Sequence, residues 1–231
     1  MTLTAVFFDA GNTLLSLDYG AIVDALEGEG FPVTRDEVWR AECRARVRLD
    51  PFLARIEVRE SREVFSRYMR YTCEEMEIAW GERAERALER LREIHRRENL
   101  WRGGAMPGAR DVLAELKGKG YRVGVISNSD GRLETLLRDA GLTGSLDVII
   151  DSQVVGVEKP DPRIFHLALE RTGVAPHEAI YLGDFYSLDV VGARCAGVEA
   201  ILLDPLGAWP HIDCVKVKDL FEIPGLLLAN D

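Results

Sequence analysis

Five short runs of almost entirely apolar residues, each ending at a polar residue, constrain the fold of this chain more than any other feature. They are AVFFD from Ala5, RVGVISN from Arg122, DVIID from Asp147, AIYLGD from Ala179 and EAILLD from Glu199. Apolar side chains on both sides of a strand are typical of a parallel sheet that is covered on both faces. Because stretches with helical period lie between the runs, the sequence predicts βαβ units and a doubly wound, Rossmann-like α/β domain.

The segment between the first and second runs has a different character. It is rich in Glu and Arg, and its apolar residues recur at the spacing of one helix face. Four amphipathic helices are predicted there, over DYGAIVDALEGEG, DEVWRAECRARVRL, REVFSRYMRYTCEEMEIAW and RAERALERLREIHRR. We therefore expect an all-helical domain over residues 17–103, inserted into an α/β core domain made of residues 1–16 and 104–231.

The composition excludes several functional classes. Of the 231 residues, 47% are apolar and 29% are charged, and no apolar run has the roughly 18–20 residues of a membrane span. The segment MTLTAVFFDAGN has no basic region, so we interpret it as a buried strand and not as a signal peptide. The net charge of -10 argues against a nucleic-acid-binding surface. We expect a cytoplasmic protein that binds neither membranes nor nucleic acid, and the sequence leaves its oligomeric state open.

The cysteines and histidines give no sign of a zinc site or of a disulfide framework. No CxxC pair and no histidine at zinc-ligand spacing occurs near the four cysteines, Cys43, Cys73, Cys195 and Cys214. Reduced cysteines are the simpler interpretation. The histidines also lack partners at a useful spacing, so we expect surface or helix-face positions for His95, His166, His177 and His211.

Polar side chains lie where the predicted strands end. They are Asp9, Ser127 with Asn128, Asp151 and Asp184, and Lys159 follows the third strand. Ligands of open parallel sheets bind beyond the carboxyl ends of the strands. Two neighbouring carboxylates repel each other unless a cation lies between them, and Mg²⁺ prefers such oxygen ligands. A carboxylate can attack phosphorus to form an aspartyl-phosphate, while a lysine and a hydroxyl hold the phosphoryl oxygens.

Four segments, in this order, resemble the motifs of the haloacid dehalogenase (HAD) superfamily. They are FFDAGNTLL, VISNS, EKPDPRIF and YLGDFYSLDVVGARCAGV, and together they span nearly the whole chain. The predicted helical insertion lies where the helical-cap subclass of that superfamily has its cap. The resemblance implies a Mg²⁺-dependent hydrolase, most often a phosphatase, with a small phosphorylated metabolite as substrate.

The resemblance also implies a role for each matching residue. Asp9 would be the nucleophile, Thr13 would steady the nucleophile loop, and Lys159 would neutralise both nucleophile and phosphate. Ser127, with Asn128 beside it, would bind the substrate phosphate. The metal ligands would be Asp9, the backbone carbonyl of Gly11 and Asp184, with Asp189 as a further ligand or an indirect partner.

The sequence departs from this pattern at Gly11. Phosphatases of the superfamily usually carry there a second aspartate that protonates the leaving oxygen, a role worth about 10²–10⁴-fold in rate. Three hypotheses follow: a phosphatase that uses a good leaving group or another acid, a 2-haloacid dehalogenase, and a catalytically weak protein that binds a phosphorylated ligand or a protein partner. Dehalogenases also lack this aspartate, but they typically have an aromatic residue at its position and replace the metal-site carboxylates.

Three arginines of the predicted helical domain form a further candidate for anion binding. Arg44, Arg46 and Arg48 could face the cleft between the domains and bind a substrate anion, or they could lie on a solvated helix face. A solvated face is the commoner arrangement for a charged run.

Overall fold

The strands of the chain form one parallel sheet. The computed structural model describes residues 3–55, 62–210 and 212–228, and within these ranges the sheet has six strands in the order β3-β2-β1-β4-β5-β6. The strands are β1 (Ala5–Phe8), β2 (Arg122–Ser127), β3 (Val148–Asp151), β4 (Ala179–Gly183), β5 (Glu199–Leu203) and β6 (Val215–Val217). The predicted fold class is confirmed, and β6 is a strand that the sequence analysis did not predict.

The strand order places the end of β1 at the centre of the sheet edge. The chain runs outward from β1 through β2 and β3, returns to the other side of β1 and runs outward again through β4, β5 and β6. In β1, Phe8 lies level with Val125 of β2 and Leu182 of β4. Asp9 therefore leaves the sheet between two neighbouring strand ends, at the reversal of strand order where open α/β sheets bind ligands.

Both faces of the sheet are covered, which explains why the first five strands are mostly apolar. Val6 and Phe8 of β1 are buried in one core cluster, and Ala5 and Phe7 are buried in the cluster on the opposite face. The helices outside the insertion are α5 (Ala109–Gly118), α6 (Leu133–Asp139), α7 (Ser152–Val155), α8 (Pro162–Thr172), α9 (Val191–Cys195) and α10 (Glu222–Leu228). Within the described ranges, none of the helices has both the length and the apolar character that a membrane crossing requires.

In the part of the chain that the structure describes, four α-helices lie between β1 and α5, and we call them the helical unit. They are α1 (Tyr19–Glu27), α2 (Arg35–Leu53), α3 (Arg62–Glu75) and α4 (Glu82–Glu98). The start of α2 follows from its sequence, because Thr34 accepts the backbone N–H of Glu37 while the Glu37 carboxylate accepts that of Thr34. Helix α3 ends earlier than predicted, since Glu77 has a φ of 60° and takes the chain out of the helix.

The chain enters and leaves the helical unit at one place. The Ser16 N–H donates to the Gly104 carbonyl at 2.9 Å, and the Gly103 N–H donates to the Ser16 carbonyl at 3.0 Å. The two crossings approach so closely that a Cβ atom on Gly103 would lie 2.7 Å from the Ser16 oxygen and still closer to the Leu17 carbonyl. The predicted domain boundaries, 16/17 and 103/104, fall in this paired segment, and the independence of the two domains stays a prediction.

Candidate active site

Asp9 lies at the end of β1 in contact with a buried lysine. Its Oδ1 is 2.5 Å from Nζ of Lys159, which also lies 2.7 Å from Oδ1 of Asp189 and 3.0 Å from the Tyr181 hydroxyl. All four side chains are buried. Lys159 therefore stands between two carboxylates, where its charge is compensated on both sides.

Burial and charge set the protonation of this pair. Burial raises the pKa of Asp9, and the nearby Lys159 ammonium opposes that rise only in part. Burial by itself would lower the pKa of Lys159, but the carboxylates of Asp189 and Asp9 outweigh it and raise the pKa. The lysine thus stays protonated at neutral pH and can hold negative charge that develops next to Asp9.

Asn128 fixes the loop that carries Lys159. Its side-chain Nδ2 donates to the Lys159 carbonyl at 3.1 Å, and its Oδ1 accepts the Lys159 N–H at 2.7 Å. The amide of Asn128 is therefore engaged by the backbone, while Ser127 makes only a long contact of 3.4 Å from its Oγ to the Asn128 carbonyl. The structure places both residues at the site, and their predicted role in substrate binding stays a prediction.

Both carboxylate oxygens of Asp189 are occupied by protein groups. Oδ2 accepts the backbone N–H groups of Asp184 and Phe185 at 3.0 Å and 2.8 Å, and Oδ1 faces Lys159 and Tyr181. A single π-helical turn, Tyr186–Val190, brings Asp189 back to the strand end. This arrangement favours the indirect role for Asp189, in which it orients Lys159 and the Asp184 backbone.

An arginine of the helical unit contacts the second predicted metal ligand. Nη1 of Arg46, in α2, lies 3.0 Å from Oδ2 of Asp184, and both side chains are buried. Nε of Arg46 also lies 2.9 Å from Oε1 of Glu42, although its N–H does not point at that oxygen. Burial raises the pKa of Asp184, and Arg46 opposes that rise. Neither alternative for Arg46, binding of a substrate anion or a solvated helix face, matches this arrangement, because Arg46 is buried and its partners are carboxylates of the protein.

Polar groups join the Arg46 contacts to the loop that follows β1. Nδ2 of Asn12 donates to Oε1 of Glu42 at 2.8 Å and lies 3.0 Å from the Tyr68 hydroxyl. Asn12 has a φ of 53°, so the chain turns sharply directly after Gly11. The Thr13 hydroxyl is buried and has no hydrogen-bond partner among the described residues, so its predicted steadying role stays a prediction.

The space beside Gly11 is lined by an aromatic ring. A Cβ atom on Gly11 would lie 3.0–3.2 Å from three ring carbons of Trp101. Trp101 belongs to a short 3-10 helix, Leu100–Arg102, at the return from the helical unit. The tryptophan is about ninety positions away in the sequence, and no local pattern places it beside Gly11.

The charges around Asp9 fit a divalent cation. Among the described residues, two cations and four carboxylates form this contact network: Lys159, Arg46, Asp9, Glu42, Asp184 and Asp189. With all four carboxylates ionised, the network carries two uncompensated negative charges in a buried region, and a bound cation would hold Asp9 and Asp184 ionised against the rise in pKa that burial causes. Asp9, Asp184 and the Gly11 carbonyl offer the hard oxygen atoms that Mg²⁺ prefers. No three acidic, histidine or cysteine side chains in the described ranges are grouped as a metal site, so the third protein ligand would have to be that carbonyl.

A small cavity of about 110 Å³ opens above these residues. Its walls include Asp9, Ser127, Lys159 and Asp184, and its volume suits a small anion rather than a large molecule. His95 lies on α4, a helix-face position as expected, and it also lines this cavity. His211 lies outside the described residues.

His95 connects α4 to the loop after β2. Its Nδ1 accepts the Leu100 N–H at 3.3 Å, and its Nε2 lies 3.9 Å from Oδ2 of Asp130. Burial lowers the pKa of His95, and Asp130 opposes this in part. The spacing of histidines in the sequence gave no signal for this position, because its neighbours come from distant segments.

Comparison with known families and proteins gives one consistent match. The family model of the haloacid dehalogenase-like hydrolases matches residues 3–197. A phosphatase of Mycobacterium tuberculosis (strain CDC 1551 / Oshkosh) is 30% identical over 211 residues, which cover 90% of this chain and 90% of that protein.

Other relatives match a smaller part of the chain, or resemble it more in structure than in sequence. The haloacid dehalogenase-like hydrolase domain-containing protein 3 of Xenopus laevis is 42% identical over 100 residues, 43% of this chain and 41% of that protein. The chain spans about half the length, or less, of this and the other vertebrate relatives of that name. The crystal structure of a 2-haloacid dehalogenase from Pseudomonas syringae pv. Tomato DC3000 is 26% identical, has a TM-score of 0.57 and covers 99% of each chain.

Proposed function

The chain belongs to the haloacid dehalogenase-like hydrolases, and from that premise we propose that it is a Mg²⁺-dependent phosphatase of small phosphorylated metabolites. The observation that carries the proposal is the contact between Asp9 and Lys159 at the wall of a small cavity, opposite Asp184. A carboxylate held beside a fixed ammonium can approach an anionic phosphate, because the ammonium offsets the repulsion.

The proposed reaction has two displacements at phosphorus. One oxygen of Asp9 forms a bond to phosphorus while the bond to the ester oxygen breaks, and the departing oxygen keeps the electron pair. Lys159 faces the nucleophile throughout, and Asp189 holds the ammonium in place. Water then displaces Asp9 from phosphorus and releases phosphate. Mg²⁺, which Asp9, Asp184 and the Gly11 carbonyl would hold, supplies further charge neutralisation when bound.

Gly11 restricts the first displacement. A glycine has no proton to give, so this position cannot protonate the departing oxygen. Leaving groups that are stable as anions do not need that proton. We therefore expect p-nitrophenyl phosphate and acyl phosphates to be turned over much faster than alkyl phosphates.

One observation supports 2-haloacid dehalogenation as a second candidate function. The Trp101 ring lies against Gly11, where dehalogenases typically have an aromatic side chain. The retained carboxylate of Asp184 and the excess of buried negative charge favour the phosphatase. A halide leaves without a proton and without a metal, so the two reactions respond differently to chelation.

The test compares both reactions in the wild type and in Asp9→Asn. We expect Mg²⁺-dependent hydrolysis of p-nitrophenyl phosphate that EDTA abolishes and that Asp9→Asn reduces by at least about 10³-fold. The matched control is Asp161→Asn, at the half-buried N-cap of α8, where asparagine can replace aspartate, and it should retain activity.

The outcomes separate the three hypotheses. Halide release from 2-chloropropionate in EDTA would establish the dehalogenase and refute the phosphatase. An absence of both activities, together with thermal stabilisation by a phosphorylated ligand, would favour the binding protein. Full activity of Asp9→Asn would exclude Asp9 as the nucleophile under either enzymatic reaction.

A further inference from the structure

A second cavity, of about 570 Å³, lies between the helical unit and the end of the sheet, and we call it the apolar cavity. It adjoins the small cavity above Asp9, because both have His95, Trp101, Asn128, Asp130 and Leu188 among their walls. A substrate whose phosphate lies against Asp9 would therefore extend its remaining part into this space.

The described walls of the apolar cavity are mainly hydrocarbon. They include Leu49, Leu53, Val64, Phe65, Met69 and Leu188. These side chains come from α2, α3 and the turn after β4, so the helical unit and the sheet both contribute. Apolar walls favour an apolar occupant, because each removes the other's surface from water.

The cationic groups of the cavity are poorly suited to a second anionic group. Arg92 lies 2.9 Å from Glu89, and Arg96 lies 3.9 Å from the same carboxylate. The Tyr68 hydroxyl is bonded to Glu42. The cationic side chains at the cavity thus have a carboxylate partner already, and sugar hydroxyls would lose hydrogen bonds to water against the hydrocarbon walls.

Gly11 supports the same class of substrate by an independent route. A leaving group that departs without a proton must be stable as an anion, and phenolates and carboxylates are. From these two observations we propose that the substrate is an apolar aryl or acyl phosphate, with its hydrocarbon part in the apolar cavity. The bond from phosphorus to the aryl or acyl oxygen breaks, and the phenolate or carboxylate leaves with the electron pair. This inference rests on the proposed phosphatase function.

Binding is the first test, because it does not require turnover. Phenylphosphonate and methylphosphonate carry the same head group and are not cleaved. Titration calorimetry of the full chain in Mg²⁺ should give phenylphosphonate at least about tenfold the affinity of methylphosphonate, since only the phenyl ring reaches the hydrocarbon walls. Equal affinities would overturn the inference.

Turnover is the second test, with two substrates of one chemical class. Benzoyl phosphate and acetyl phosphate both release a carboxylate, so they differ mainly in the apolar group. The wild type should show kcat/KM for benzoyl phosphate at least about tenfold above that for acetyl phosphate. Val64→Trp, which fills the apolar cavity, should reduce this ratio by about tenfold. The matched control is Val215→Trp, on an exposed position of β6 at the sheet edge, and it should keep the ratio.

The results separate this inference from the proposed function. Turnover of both acyl phosphates at similar kcat/KM would retain the phosphatase and overturn the apolar substrate. No turnover, with tight phenylphosphonate binding that Val64→Trp weakens, would overturn the phosphatase and retain the apolar site. A ratio that falls equally in Val64→Trp and Val215→Trp would overturn the assignment to the cavity.

Discussion

Beside Asp9, the proposed nucleophile, a residue that is distant in the sequence lies against a glycine. Gly11 has no side chain, and the Trp101 ring occupies the space into which a Cβ atom would project. An aspartate at this position must displace the ring by a few tenths of an ångström before it can point at a leaving oxygen. Gly11 and Trp101 therefore have to be changed together to test whether an acid at this position assists catalysis.

We predict that Gly11→Asp alone gives little gain in the turnover of an alkyl phosphate such as β-glycerophosphate, because Trp101 restricts the new side chain. Combined with Trp101→Leu, it should raise kcat at least about tenfold over Trp101→Leu alone, since a placed acid is worth about 10²–10⁴-fold. Steady-state kinetics measure both. If Gly11→Asp alone raised kcat for the alkyl phosphate as much as the double variant does, the Trp101 ring would not restrict the new side chain.

His95 gives a second prediction at this scale, for pH dependence. Burial lowers the pKa of His95 in the folded protein below its ordinary value of 6.5. As the pH falls below about 6.5, His95 binds a proton in the unfolded chain before it does so in the folded protein. The free energy of unfolding is therefore undiminished by His95 above that pH, and it declines below it. Thermal unfolding from about pH 8 to about pH 5 should show a smaller acid loss for His95→Gln than for the wild type. Parallel curves would contradict this sign.

At the scale of elements, α2 is the helix that ties the helical unit to the site. Arg46 contacts Asp184, and one turn later Oδ1 of Asp50 accepts the Ser187 N–H at 2.8 Å. Residues four positions apart lie on one helix face, so α2 presents both side chains to the turn after β4. The helix thereby holds a cation over one of the proposed metal ligands.

We predict that Arg46→Met lowers the free energy of unfolding by about 3–5 kcal/mol, because Glu42 and Asp184 then remain buried without that cation. Arg48→Met is the matched control, two positions along the same helix. Arg48 pairs with Glu74 and Glu75 at a half-exposed position, and its loss should cost about 1 kcal/mol or less. Urea denaturation measures both values. Equal losses would show that burial adds nothing to the Arg46 contacts.

The same elements show which features could be predicted from sequence. The strand ends were predictable because apolar runs are local, and the residues that follow them, Asp9 and Asp184, meet wherever parallel strands pair. Strand β6 could not be predicted in this way, because it has three residues and two of them are exposed. The burial of Arg46 could not be predicted either, because its partner Asp184 is 138 positions away in the sequence. Helical period places Arg46 beside an apolar face but cannot say which carboxylate it meets.

At the scale of the whole molecule, the paired crossings fix how the helical unit sits on the sheet. We predict that Gly103→Ala lowers the free energy of unfolding by about 1–3 kcal/mol, because the methyl group would be forced against the Leu17 and Ser16 carbonyls. Gly118→Ala is the control, since a Cβ atom there meets no atom within 4 Å. It should be neutral or slightly stabilising. Thermal or urea unfolding compares them, and equal values would contradict a close contact at the joint.

The crossings at Ser16 and Gly104 also have a consequence for how such a chain can be rebuilt. The segment that enters the helical unit and the segment that leaves it are hydrogen-bonded neighbours. The α/β part is therefore connected to the insertion through two adjacent chain ends, as it would be to a hairpin of any length. We expect that a foreign module whose own termini lie side by side could be inserted there without shifting β1 or α5. The hybrid protein would keep Asp9 and Lys159, which lie in the α/β part. The inserted module would have to supply its own guanidinium group to pair with Asp184.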